Sequence, residues 1–163
     1  MKKITTLLML LILVVQGISA KSVKEIINQF KTENKAEYTY VSPTMMMLAK
    51  AAVKNYSKET GDILNKVNSV RLLKLDACKS KTKKKLFKEI NNLDEEEYQS
   101  IITNGKQKDG FQMLVKVDPS GTSEFVVLNS GDDNCMLIQI EGTITKEELQ
   151  KLIDGKGIPG MND

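Results

Sequence analysis

The stretch from Phe111 to Glu141 constrains this chain more than any other. Phe111, Met113, Val115 and Val117 recur at every second position, the period of a strand with two distinct faces. Asp118-Pro119-Ser120-Gly121 then suits a type I turn, because proline presets the second position and glycine takes the open conformation at the fourth. The run from Ser123 to Asn129 therefore returns antiparallel, and Gly131-Asp132-Asp133-Asn134 turns the chain again into Cys135 to Glu141. Three strands joined by tight turns make a C-terminal meander. The oxygen-rich second turn is read as a turn and not a calcium loop, since the twelfth position from Asp132 is Thr143, where an EF-hand needs a bidentate Glu.

Upstream, helices announce themselves by their caps. Ser22-Val23-Lys24-Glu25 is a capping box, followed by Val23, Ile26, Ile27 and Phe30 on one helical face. Glu37 to Val41 reads as a strand. Ser42 and Pro43 then open a second helix, with Met45, Leu48, Ala49, Ala52, Val53 and Tyr56 expected inside, Met46 stapled to Val41, and Met47 exposed. Val70 to Ala77 is a second strand. Ser80 to Asn91 predicts a weaker helix, because its lysines crowd the positive end of the dipole. Asp94 to Thr103 predicts another, with Glu97 closing a box and Leu93 placed against Tyr98; Thr145 and Glu148 box a last one running to Asp154. The resulting order is α-β-α-β-α-α-β-β-β-α. It predicts an α+β fold: a mostly antiparallel sheet with a C-terminal three-stranded meander and helices packed on one face.

At the N-terminus, Lys2 and Lys3 precede an uncharged apolar stretch from Ile4 to Val15 and the small-residue end Gly17-Ile18-Ser19-Ala20. This three-part pattern is that of a signal peptide, and the apolar run is shorter than the roughly 20 residues that span a bilayer. The expected organisation is a signal peptide over 1–20, a single α+β domain over 21–155 and a flexible tail over 156–163. The mature chain is then exported, to the periplasm or the cell exterior, with no transmembrane span after cleavage. Losing Lys2 and Lys3 lowers the formal charge from +3 to +1, so much of the basicity belongs to the leader.

Several segments also resemble a known family. Tyr38-Thr-Tyr-Val-Ser-Pro leading into Met45 to Met47, Val70-Arg-Leu-Leu-Lys-Leu-Asp-Ala-Cys78, Phe125-Val-Val-Leu and Cys135-Met-Leu-Ile-Gln-Ile-Glu-Gly142-Thr-Ile are similar to the domain of unknown function 4252 family, small exported proteins of Bacteroides-type bacteria. The resemblance covers most of residues 22 to 150 and rests on strand and helix patterns. It implies an envelope protein whose relatives have no assigned activity, some lying beside genes for extracytoplasmic-function sigma factors, and it carries over no functional residues.

For chemistry the most informative absence is histidine, which removes the commonest general base near neutral pH and the commonest metal ligand. No G-x-S-x-G, P-loop or G-x-G-x-x-G is present, so no catalytic, cofactor-binding or metal-binding residue is nominated. Glu95, Glu96 and Glu97 are read as first-turn helix acids. Two residue sets stand out. Cys78 closes one predicted strand and Cys135 opens another, so neighbouring antiparallel strands would bring them together as a candidate disulfide in an oxidising compartment. Lys79, Lys81, Lys83, Lys84, Lys85 and Lys88 form a candidate anion-binding patch. Nucleic acid is not the expected partner, given the small mature charge and the lack of tryptophan and interleaved aromatics. The expected function is a non-enzymatic envelope domain that binds a protein or ligand, linked to envelope signalling by the resemblance. The alternatives are an anionic-surface binder, for lipid or polyanion, through the lysines, and a carboxylate-dependent enzyme.

Overall fold

The structure, a computed structural model, describes residues 21–52, 58–104, 110–131, 133–145 and 147–148. Its elements in chain order are α1 (Val23–Phe30), β1 (Glu37–Val41), α2 (Pro43–Ala52), α3 (Lys58–Lys66), β2 (Val67–Lys74), α4 (Ser80–Asn91), β3 (Gln99–Asn104), β4 (Phe111–Val117), β5 (Ser123–Ser130) and β6 (Cys135–Gly142). The strands form one six-stranded sheet in the order β1-β2-β6-β5-β4-β3, with every pair antiparallel. The α+β architecture and the C-terminal meander are as expected, although the meander has a fourth strand, β3.

Local chemistry explains the elements that agree with expectation. The Ser22 hydroxyl accepts the Glu25 N–H at 3.3 Å and the Glu25 carboxylate accepts the Ser22 N–H at 2.8 Å, so α1 starts with both halves of its capping box made. The Ser22 N–H and then the Ser22 hydroxyl, both donating to the exposed Glu25 carboxyl, hold it below its ordinary pKa. In the β4–β5 turn the Gly121 N–H donates to the Asp118 carbonyl at 2.8 Å, and Gly121 takes φ +80°, a conformation open to glycine at little cost. The expected C-terminal helix also begins as read. Glu148 N–H donates to the Thr145 hydroxyl at 3.2 Å and Thr145 N–H to the Glu148 carboxylate at 3.1 Å. The rest of that helix to Asp154, the tail 156–163, the leader 1–20 and the expected core residues Val53 and Tyr56 lie outside the described residues.

Three expectations are corrected. Residues 94–103 are not a helix: Glu97 and Tyr98 N–H both return to the Asp94 carbonyl in a single turn, and the chain then enters β3. The capping signal is real but ends after one turn, because Ile101, Ile102 and Thr103 are β-branched and β4 offers a strand edge to pair with. In α2 the buried methionine is Met46, at 6% exposure, while Met45 and Leu48 stand 53% and 63% exposed. Helices also cover both faces. By strand register, Leu73, Leu114, Val126, Leu128 and Leu137 point to one face, where α1 and α4 seal them with Val23, Ile26, Ile27, Phe30, Leu86 and Ile90. Met113, Val115 and Phe125 point to the other, where Met46 of α2, Ile63 of α3 and Ile144 meet them. Alternation along a strand separates the two faces without saying where each helix goes.

Gly142 marks the tightest joint. A Cβ there would lie 2.2 Å from the Lys66 carbonyl oxygen, where α3 hands over to β2. Gly61, inside α3, meets nothing within 4 Å. We expect Gly142→Ala to lower stability by about 1–3 kcal/mol through overpacking, and Gly61→Ala to raise it by roughly 0.5–1 kcal/mol by removing a helix-interior glycine. Urea melts of the two variants check this; equal midpoints would contradict the assignment of Gly142 as the point of backbone contact.

Candidate functional site

On the face covered by α1 and α4, one end of the sheet is polar. Ser69 and Arg71 of β2, Gln139 and Glu141 of β6, and Glu124 of β5 occupy same-face positions of three adjacent strands. Their side chains form a continuous chain. Ser69 Oγ donates to Glu141 Oε2 at 2.6 Å, and Arg71 Nη1 pairs with Glu141 Oε1 at 3.1 Å while donating to Gln139 Oε1 at 3.1 Å. Gln139 Nε2 donates to Glu124 Oε1 at 2.6 Å, and Tyr98 Oη donates to Glu124 Oε2 at 3.0 Å. Tyr40 of β1 stacks on the Arg71 guanidinium, 4.6 Å from ring centroid to Cζ.

Glu124 and Glu141 face each other across β5 and β6, and their environments push them apart. Burial, reinforced by the opposing Glu141 charge, raises the Glu124 pKa against the lowering effect of its hydrogen bonds to Gln139 and Tyr98. Burial would raise Glu141 as well, but the Ser69 hydrogen bond and then the Arg71 guanidinium bring it below its ordinary value. Burial, followed by the Glu124 charge, also raises the Tyr98 phenol well above its usual range. A carboxylate pair split in this way is the pattern of an acid and a base. Here, however, each of the four carboxylate oxygens has a protein partner. Neither of two shallow grooves nearby, of about 370 and 430 Å³, is lined by Glu124 or Glu141. The network ties β2, β6 and β5 together through their side chains.

The residues singled out from sequence are placed as follows. The lysine cluster lies on α4, whose N-cap Lys79 makes no side-chain cap bond and whose first turn holds no acid. Lys81, Lys84, Lys85 and Lys88 are exposed along one side at i, i+3, i+4 and i+7, while Lys83 turns back to donate to the Asp76 carbonyl at 2.8 Å. Of the acidic run that follows, Glu97 pairs with Lys116 of β4 at 2.5 Å. Cys78 and Cys135 are both buried and both free thiols. Cys135 opens β6 as expected, but β2 ends at Lys74 and Cys78 sits in the turn that follows. Of the methionines, Met45 and Met47 stand 53% and 62% exposed with Leu48 beside them. Among the described residues no group of three acids or cysteines is arranged to hold a metal ion.

The polar network was missed from sequence because Arg71 and Gln139 each sit singly between apolar neighbours, and every strand member reads as a solvent-facing position. The available signal was their coincidence: Arg71, Gln139 and Glu124 each interrupt an apolar strand, and two of the three are charged.

Burial keeps Glu124 protonated to higher pH in the folded chain than in the unfolded one, so its contribution to stability falls as pH rises from the ordinary carboxyl range through its raised folded value. Glu141 acts oppositely, its contribution being lost as pH falls from the ordinary range through its lowered folded value. Glu124→Gln should therefore gain on the parent chain as pH rises from 5 to 8. A pH series of urea midpoints reads this, and a difference that is flat with pH would refute the assignment.

The model of a family described as domain of unknown function (DUF4252) matches residues 20–152, and the chain belongs to that family. No curated protein and no solved structure matches it.

Proposed function

We propose that this member of the DUF4252 family is an exported, non-enzymatic envelope module that binds a partner protein through α2. The observation that carries the reading is the exposure of Met45, Met47 and Leu48, at 53%, 62% and 63%, on a helix that turns Met46 and the half-buried Lys50 inward. Lys50 Nζ is held by the Asn65 and Val67 carbonyls at 2.9 and 2.6 Å, which fixes the helix with its apolar side outward. Tyr40 of the edge strand β1, 39% exposed, is a further large apolar side chain at the surface. Flexible methionines repack against varied shapes, and large exposed apolar patches mark interaction sites. The link to envelope signalling rests on the family resemblance.

The uncapped, lysine-striped start of α4 favours a second reading, an anionic-surface binder for lipid or polyanion. Backbone N–H groups at a helix N-terminus and nearby ammonium groups both attract anions, and such binding weakens with salt. One crosslinking pull-down from the native envelope separates the two. Substituting Gln at Met45, Met47 and Leu48 should abolish capture while changing stability by no more than about 0.5 kcal/mol, and substituting Gln at the six lysines should leave capture intact. The reverse pattern, with loss at moderate salt, would move the assignment to the lysines.

The lysine-apolar-small pattern of residues 1–20 supports the export part of the reading. Protein recovered from cells should begin at or near Lys21 by N-terminal sequencing. Recovery of the intact Met1 form from the cytosol would defeat it.

A further inference from the structure

Leu75, one residue past β2, is gripped from both sides by the backbones of the two cysteines. Its N–H donates to the Cys135 carbonyl at 2.8 Å, and its carbonyl accepts the Cys78 N–H at 2.9 Å. The first bond extends the β2–β6 ladder one step beyond the Lys74–Met136 pair. Residues that face each other across an antiparallel pair have Cα atoms about 4.5–5.5 Å apart, which sets Leu75 beside Cys135. The second bond closes a turn from Leu75 to Cys78, whose ends lie within about 7 Å. Asp76, inside that turn, accepts the Cys135 N–H on its carboxylate at 2.7 Å and binds the turn to the start of β6. Both side chains enter the same core cluster with Leu75, Phe30 and Leu137, at 8% and 1% exposure. The Cys78 thiol donates to the Asn34 carbonyl at 3.3 Å, a hydrogen bond that a bond to Cys135 would replace.

We propose that Cys78 and Cys135 are a disulfide-forming pair that staples the turn before α4 to the start of β6. The pair closes a loop containing α4 and strands β3 to β5. The oxidant is a disulfide donor, either a dithiol-disulfide oxidoreductase of the compartment or oxidised glutathione in the test tube. One cysteine thiolate attacks the donor disulfide, forming a mixed disulfide and releasing the first donor thiolate. The second cysteine, as thiolate, attacks the protein sulfur of that mixed bond and expels the other. Two S–H bonds are lost and one S–S bond forms; the donor disulfide is reduced to two thiols that take up the two protons. Burial raises both thiols, Cys135 to about 11, so exchange is slow once the core has closed and the bond forms during folding.

The occurrence of the bridge in cells rests on the export reading, and the test separates the two. Full-length protein expressed in cells is recovered from the envelope, and free thiols are counted after denaturation without reductant. A second portion is reduced, unfolded and refolded with reduced and oxidised glutathione. The expected result is no free thiol in either sample, a mass lower by two hydrogens, and a proteolytic fragment joining the Cys78 and Cys135 peptides. Reduction should lower Tm by roughly 5–10 °C, given the size of typical disulfide effects in a domain of this length. Cys78→Ser and Cys135→Ser should each leave a single thiol that takes a glutathione adduct; the thiol count on the parent chain decides the matter if either variant fails to fold. A bridge in the refolded sample alone supports the pairing and overturns export to an oxidising compartment. Two free thiols in the refolded sample, or only intermolecular bonds, overturn the pairing.

Discussion

The pairing of β2 with β6 carries the rest of the molecule. Partners such as Arg71 and Gln139 are 68 residues apart in sequence, and their contact joins the antiparallel β1–β2 pair to the C-terminal meander. A loop of that length costs only slightly more entropy than a shorter one, because closure cost grows with the logarithm of length. The register it sets has large consequences. Leu73 opposite Leu137 builds the core under α1 and α4, and Ser69, Arg71, Gln139 and Glu141 fall on the same face. A slip of one residue would exchange the two faces of β2 and expel Leu73 from that core.

The two faces are sealed unequally. On one, α1 contributes four fully buried apolar residues, and the polar network closes the open end with charges that are paired and hydrogen-bonded, the condition under which buried charge is tolerated. On the other, α2 commits little beyond Met46, leaving Met45, Met47 and Leu48 outside. The first arrangement suits stability. The second leaves an apolar helix surface available without loosening the main core.

Particular residues show why some of this was legible. The α1 face, Ser42 and Pro43 at the start of α2, the Asp118–Gly121 turn and the span of α4 all depend on interactions within a few positions, and local sequence decides them. Asp94–Thr103 shows the limit: its capping signal was sound over one turn, but the strand beyond it depends on an edge supplied by β4. Met45 and Met46 differ by one position, and only the location of Ile63, Val67 and Ile144 determines which is inside.

By itself the sequence determined the starts of α1, α2 and α4, the Asp118–Gly121 turn and the period of β4, since these follow from side chains bonding to nearby backbone and from alternation along one segment. It also carried the family patterns that the match over residues 20–152 identifies. Tertiary structure alone decided that β2 lies beside β6, that Glu124 sits opposite Glu141, that Leu75 brings Cys78 to Cys135, and that helices cover both faces. The physical reason is that periodicity tells which residues share a face, while the occupant of that face is set by segments far away in the chain whose burial is cooperative.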